Sequence, residues 1–177
     1  MRNAAFLGAG FLLVLVQAIL PNLVLGPLGI GDAWNPGLLL PLVVFLGVHE
    51  HSMLRGAGLA FVLGHVLDLL GAEPIWLFTF VYVSMWWLAR LAGVRLTAQT
   101  VLPRMLLGFA FALVEGGLVL VLLVVFGSDT QRPMEIAQVL PPRALATALF
   151  APLVFRLAQR LHQGSVPARG ASEAVRA

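Results

Sequence analysis

Ionisable side chains inside apolar segments are the residues of this sequence best placed to do chemistry. His65 and Asp68 lie one turn apart near the end of one apolar run, and Glu115 lies about midway along another. A charge at the centre of a bilayer costs about 2.5 kcal/mol or more, so such residues bind ligands, carry protons or hold helices together. The segments around each residue decide which of these roles it can have.

Asp68 ends a stripe of small residues. The stripe recurs every four residues and comprises Gly56, Ala60, Gly64, Asp68 and Ala72. Such spacing places all of them on one helix face, and small residues there let another helix backbone approach closely. We therefore predict a groove along Gly56, Ala60 and Gly64 that receives a partner's transmembrane helix. Asp68 then either accepts hydrogen bonds from a neighbouring helix or pairs with Arg143, and a proton or ligand site is the alternative.

Glu115 lies beside a second stripe of small residues, formed by Gly108, Ala112 and Gly116. Because an ionised carboxylate is so unfavourable in lipid, we expect Glu115 to be protonated or hydrogen-bonded within a helix bundle. A structural role that holds helices together is the favoured interpretation. A more specific functional role, in partner contact or transport, is the alternative.

Residue patterns that mark enzymes are absent. The sequence has no G-x-S-x-G nucleophile motif, no glycine-rich phosphate loop and no cysteine, and Ser84 has no His or Lys partner at helical spacing. His49, Glu50 and His51 are adjacent, unlike the H-E-x-x-H motif that places two histidines on one helix face. We predict a solvated cytoplasmic turn there, and no metal, cofactor or enzymatic activity for the chain.

The composition is that of an integral membrane protein. The chain has 177 residues, of which 60% are hydrophobic and 11% charged, with a mean hydropathy of +0.96. Soluble domains have about 45–50% apolar and about 25% charged residues. The basic pI of 11.0 indicates membrane orientation here rather than nucleic-acid binding, because the arginines are scattered between apolar runs.

Six apolar segments predict an all-α, polytopic bundle of six transmembrane helices. About 20 helical residues cross a bilayer core. The predicted spans are 4–20 with an apolar continuation to 28, 34–48, 56–70, 74–91, 101–126, and a last one from after 141–143 to about 161. Residues 1–163 form this domain, and residues 164–177 form a disordered cytoplasmic tail. A re-entrant pair in place of spans two and three would put His49, Glu50 and Arg55 at mid-bilayer, so two short spans are preferred.

The arginine distribution predicts the orientation. With six spans, nine of the eleven basic residues fall on the side that holds both termini. The other side has Arg132 and Arg143 together with most of the acidic residues. By the positive-inside rule, both termini are cytoplasmic.

Three stretches of the sequence have a recognisable pattern. In residues 34–40, Trp34 and Pro36 precede a leucine run; residues 55–70 form a glycine-bearing span ending in G-x-x-x-D-L; and in residues 144–157 a proline precedes an aromatic residue and Arg156. These stretches resemble the family of rod shape-determining protein MreD. The resemblance covers most of the membrane portion and marks Gly58, Gly64 and Asp68.

The resemblance implies a non-enzymatic scaffold of cell elongation in the bacterial inner membrane. MreD-like proteins act with the bitopic protein MreC, with the actin-like MreB, and with RodA and its transpeptidase, which build lateral peptidoglycan. The expected partners are therefore an MreC-like protein, this assembly and membrane lipids.

MreD is also distantly similar to the S subunits of energy-coupling-factor vitamin transporters, which are six-helix proteins of similar size. An S subunit needs a substrate pocket near the outer face with several polar groups. A substrate-binding subunit is thus the alternative function.

Overall fold

The computed structural model describes residues 2–20, 34–50, 52–70, 76–92, 101–126 and 133–163, and most of these residues are helical. The helices are α1 (Arg2–Leu20), α2 (Leu39–His49), α3 (Met53–Leu70), α4 (Leu77–Leu91), α5 (Val101–Phe126) and α6 (Pro133–Gln163). The predicted all-helical class is confirmed for this part of the chain.

Five helices form a closed ring around the sixth. Going round the ring, α1 packs on α3, α3 on α4, α4 on α5, α5 on α6, and α6 back on α1. The short helix α2 lies inside and contacts all five. The most extensive contacts join helices that are neighbours in sequence, α3 with α4 and α5 with α6. Helices joined by a short connection tend to pack against each other in this way.

The central helix α2 is apolar on every side. Every residue of the run Leu39, Leu40, Pro41, Leu42, Val43, Val44, Phe45, Leu46 and Gly47 is buried. A helix that is hydrophobic all round belongs in the interior of a bundle. At about 1.5 Å per residue, the 11 residues of α2 extend only about 16 Å, roughly half the thickness of a bilayer core.

Three helical segments are long and apolar enough to cross a membrane: Met53–Leu70, Val101–Phe126 and Ala137–Gln163. Three shorter apolar helical segments accompany them, Ala4–Ile19, Leu39–His49 and Leu77–Leu91. Large apolar side chains also remain on the outside, among them Leu54 at 86% and Phe126 at 78% exposure. A soluble protein rarely presents such surface, so the chain has the character of a membrane protein.

Two predicted helix starts are wrong. The second helix begins at Leu39 rather than at residue 34, where the predicted span begins, because residues 35–37 adopt no helical conformation. The last helix begins at Pro133 and continues through Pro141 and Pro142, where the two prolines were expected to precede it. Membrane helices tolerate proline because neighbouring helices and side chains can satisfy the freed carbonyls. The apolar continuation 21–28 and the tail 164–177 lie outside the described residues.

Candidate functional site: polar groups around the start of α2

A non-helical segment leads into α2 within the bundle, and ring helices supply partners for its backbone. The Gly37 N–H donates to Thr147 Oγ1 of α6 at 2.9 Å, and the Leu38 N–H donates to Gln17 Oε1 of α1 at 3.0 Å. The Thr147 hydroxyl in turn donates to the Arg143 carbonyl one turn earlier, at 2.9 Å. Buried N–H groups at a helix start need such partners, so single polar side chains in two apolar helices determine how α2 begins.

Glu115 of α5 lies against the same point. Its side chain is only 3% exposed, and a Cβ atom at Gly37 would lie 3.5 Å from Glu115 Oε2 and 4.0 Å from Arg143 Nη2. The carboxyl group thus lies near the start of α2, which is the positive end of that helix's dipole, and close to Arg143. Because glycine has no side chain, position 37 leaves space for Glu115 and Arg143 beside the start of α2.

Tyr82 of α4 completes the group. Its hydroxyl faces the Glu115 carboxyl, yet neither this hydroxyl nor Glu115 Oε1 has a hydrogen-bond partner among the described residues. We call Gly37, Tyr82, Glu115, Arg143 and Thr147 the Glu115 cluster. The hydrogen bonding expected of Glu115 within the bundle is therefore not observed at Oε1 among the described residues.

A partly open cavity of about 280 Å³ adjoins this cluster. Its polar lining comes from Gln17, Asn35 and Arg143. Its apolar lining comes from Val14, Ala18, Leu67, Leu70, Phe78 and Val139. The Asn35 Oδ1 atom is buried without a hydrogen-bond partner in the described part of the chain. The cavity lies at the end of the bundle where α1 and α3 end and α4 begins, away from the first residues of α1 and the last residues of α6.

Asp68 caps the start of α4. Its Oδ1 accepts the Phe78 N–H at 2.7 Å, and its Oδ2 accepts the Thr79 N–H at 2.9 Å and the Thr79 hydroxyl. A carboxylate at a helix N-terminus accepts hydrogen bonds from the free N–H groups and interacts favourably with the positive end of the helix dipole. Of the two structural roles considered for Asp68, bonding to a neighbouring helix is the one observed, and Arg143 lies instead in the Glu115 cluster.

The small-residue stripe of α3 packs on α4 of the same chain. Ala60 is fully buried. A Cβ atom at Gly64 would lie 2.8 Å from Thr79 Cα, and one at Gly56 would lie 2.5 Å from the Trp86 ring. The predicted groove exists, but α4 rather than a partner helix fills it. Gly58 is different, because it is exposed and a Cβ atom there would meet nothing within 4 Å.

His65 is separate from Asp68 in its contacts. Its ring stacks on Trp76 with centroids 5.0 Å apart and lies 6.2 Å from that of Phe61. Its Nδ1 atom is buried and unpaired within the described ranges. His65 and Asp68 therefore form no hydrogen-bonded pair among the described contacts, so no direct contact between them supports a proton site.

The expected solvated turn at residues 49–51 is wrong for its described residues. Glu50 is 6% exposed, so it is buried, and its carbonyl accepts a hydrogen bond from Arg90 Nη1 at 2.9 Å. His49 stacks on Phe45 with ring centroids 4.1 Å apart. His51 lies outside the described residues. Among the residues that the structure describes, no group of three or more potential ligands could hold a metal ion.

Four polar residues of the site were missed in the sequence: Gln17, Asn35, Tyr82 and Thr147. Gln17 and Thr147 are single polar residues in apolar runs, and Tyr82 is the sole tyrosine. Isolated polar groups in apolar helices are unfavourable unless they are paired. That signal marks them as inward-facing, although it does not show which helices they join.

Comparisons with protein-family models, with curated proteins and with solved structures find no match for this chain.

Proposed function

We propose that this protein is a non-enzymatic membrane scaffold of the bacterial cell-elongation machinery, similar to MreD, that binds an MreC-like bitopic protein. One observation supports the proposal most. The three stretches that resemble MreD meet at α2: residues 34–40 lead into α2, the second stretch forms most of α3, which packs on α2, and Thr147 of the third binds Gly37 of the first. The stretches that carry the resemblance thus contribute to one shared core.

The proposal includes six membrane passages with both termini cytoplasmic. The helix α2 extends roughly 16 Å and is too short to cross a bilayer core of about 30 Å by itself. The non-helical residues 35–37 before it form part of this passage. Non-helical backbone at membrane depth is tolerated when protein encloses it, and Thr147 and Gln17 supply the hydrogen-bond partners.

The arginine asymmetry supports the orientation. Arg90 lies in the last turn of α4 and Arg160 in the last turn of α6. Both ends fall on the side that the charge bias assigns to the cytoplasm. The proposed location is the bacterial inner membrane, with MreB and the RodA–transpeptidase assembly as direct or indirect partners.

Gly58 is the position through which partner binding is best tested. Of Gly58, Gly64 and Asp68, which the resemblance marks, the last two make contacts inside the chain, whereas the surroundings of Gly58 are open. A partner helix that approaches closely along this face of α3 would be blocked by a large side chain. Gly117 of α5 also has nothing within 4 Å and provides a matched control.

The experiment is gentle-detergent co-purification of the tagged chain from its own host, with mass spectrometry of the recovered proteins and microscopy of cell shape. We expect an MreC-like protein and wall-synthesis enzymes with the wild type. Gly58→Leu should reduce their recovery at least tenfold at unchanged protein level, and Gly117→Leu should not. Equal recovery with both variants would exclude this face of α3 as the binding surface.

The adjoining cavity favours a second candidate function, the S subunit of an energy-coupling-factor vitamin transporter. With the proposed orientation the cavity opens at the outer face, and Gln17, Asn35 and Arg143 line it, as a pocket for a polar substrate requires. Recovery of a transmembrane coupling subunit with two ATPases in the same co-purification would replace the scaffold proposal with this one.

A further inference from the structure

We propose that the cavity beside the start of α2 binds an oxyanion that carries its own hydrogen-bond donor, as the headgroup of phosphatidylglycerol does. This inference goes beyond the scaffold function and does not depend on any protein partner. It rests on the shape of the cavity, on the one charged side chain in its described lining, and on the hydrogen bonding of two carboxamide groups.

The cavity is built by several elements rather than being a groove on one helix. Side chains of α1, α3, α4 and α6 line it together with Asn35 of the segment before α2. Its volume of about 280 Å³ is close to the lower limit of about 300 Å³ for small-molecule sites. It is therefore large enough for a lipid headgroup, and its apolar lining can contact the start of an aliphatic chain.

The charge in the described lining is positive. Arg143 lines the cavity, and within the described residues it forms no ion pair. Of the carboxylates in the described residues, Asp68 uses both oxygens to bind the start of α4. Glu115 lies near Arg143 but is not among the described lining residues of the cavity. A guanidinium group in such surroundings binds phosphate or carboxylate through charge-assisted hydrogen bonds.

The two carboxamide groups define the rest of the ligand. Gln17 Oε1 already accepts the Leu38 N–H, so within the described residues the Gln17 amide NH₂ remains to donate to an anion. Asn35 Oδ1 is a buried acceptor without a partner in the described chain, and an unpaired buried acceptor is destabilising by about 1–3 kcal/mol. A ligand with an O–H or N–H group next to its anion would satisfy it.

Two sources present this chemistry, and two probes separate them. Phosphatidylglycerol carries a phosphate diester next to glycerol hydroxyls and remains in the bilayer. Free sn-glycerol 3-phosphate carries a phosphate monoester next to glycerol hydroxyls and is in solution. Phosphatidylcholine with identical acyl chains has the phosphate but no hydroxyl donor and no net charge, so it serves as the control lipid.

The experiment measures lipid retention by native mass spectrometry of the full-length chain, incubated in a non-ionic detergent with equal amounts of the two lipids. Titration calorimetry with sn-glycerol 3-phosphate follows on the same preparation. Arg143→Gln removes the cation, and Ala18→Phe fills the cavity without changing its charge. The matched controls are Arg156→Gln on the exposed side of α6 and Ala110→Phe on the exposed side of α5.

We expect phosphatidylglycerol to be retained about tenfold more than phosphatidylcholine, a preference that Arg143→Gln and Ala18→Phe abolish and both controls keep. Binding of sn-glycerol 3-phosphate with the same dependence on these variants, without lipid preference, would identify the soluble anion as the source. The proposal is overturned if neither probe binds selectively, or if Ala18→Phe keeps the full preference. If Arg143→Gln does not fold, Ala18→Phe alone decides the outcome. Because no protein partner enters these measurements, their failure is distinct from failure of the scaffold proposal.

Discussion

The contact between α3 and α4 makes a quantitative prediction for two glycines of one helix. Alanine at Gly64 would place its Cβ 2.8 Å from Thr79 Cα, 2.9 Å from the Phe78 carbonyl oxygen and 3.1 Å from Thr79 N. Favourable contacts between carbon atoms lie at about 3.5–4.0 Å. These neighbours are backbone atoms of the first turn of α4, so α4 itself must move to relieve the overlap.

The magnitude follows from two opposing terms. Overpacking of this kind destabilises by about 1–3 kcal/mol, and exchange of a helical glycine for alanine stabilises by up to about 1 kcal/mol. Gly58→Ala, on the same helix, has the helix-propensity gain without the overpacking cost, because a Cβ atom there meets nothing within 4 Å. Since the helix-propensity term is common to both variants, the difference between them isolates the contact and amounts to about 1–3 kcal/mol.

The assay is reversible unfolding of the purified variants in mixed micelles with increasing sodium dodecyl sulfate. Tryptophan fluorescence reports the transition, since the chain has four tryptophans and no cysteine for a thiol dye. We expect Gly64→Ala to unfold at lower detergent fraction than wild type and Gly58→Ala at equal or higher fraction. If the two alanine variants have the same midpoint, the close packing of Gly64 on α4 is refuted.

Two further predictions concern the polar contacts. Asp68→Asn keeps the size of the side chain but turns an NH₂ group towards the donors at the start of α4, so we expect about 2–3 kcal/mol of destabilisation in the same assay; Asp68→Asn as stable as wild type would contradict the capping role. Thr147→Val leaves the Gly37 N–H without its partner and should destabilise by about 1–3 kcal/mol, whereas Thr147→Ser should restore most of it. Equal stability of the valine and serine variants would show that the hydroxyl is dispensable.

The Glu115 cluster explains how a carboxyl group is accommodated in the middle of an apolar helix. The sequence indicates only that Glu115 needs compensation. The groups around its carboxyl come from three other elements, namely Arg143 of α6, Tyr82 of α4 and the start of α2 at Gly37. None of these is close to Glu115 in sequence, so the arrangement depends on how the ring closes around α2.

The stripe on α3 shows where a local pattern is sufficient and where it is not. The four-residue spacing of Gly56, Ala60 and Gly64 correctly predicts a close helix contact, because it depends only on helix geometry and side-chain size. It does not indicate which helix makes the contact. A short connection favours the next helix of the same chain, and α4 is indeed the one that fills the groove.

The sequence by itself determined the helical class, the apolar character and most helix limits, including Val101–Phe126 at both ends. These follow from composition and periodicity, which are local properties. Only the tertiary structure decided that α2 begins at Leu39, that α6 runs through Pro141 and Pro142, and that Gln17 and Thr147 bind the segment before α2. The physical reason is that a buried N–H or a proline-freed carbonyl takes whatever partner the neighbouring helices bring, and that partner lies far away in the chain.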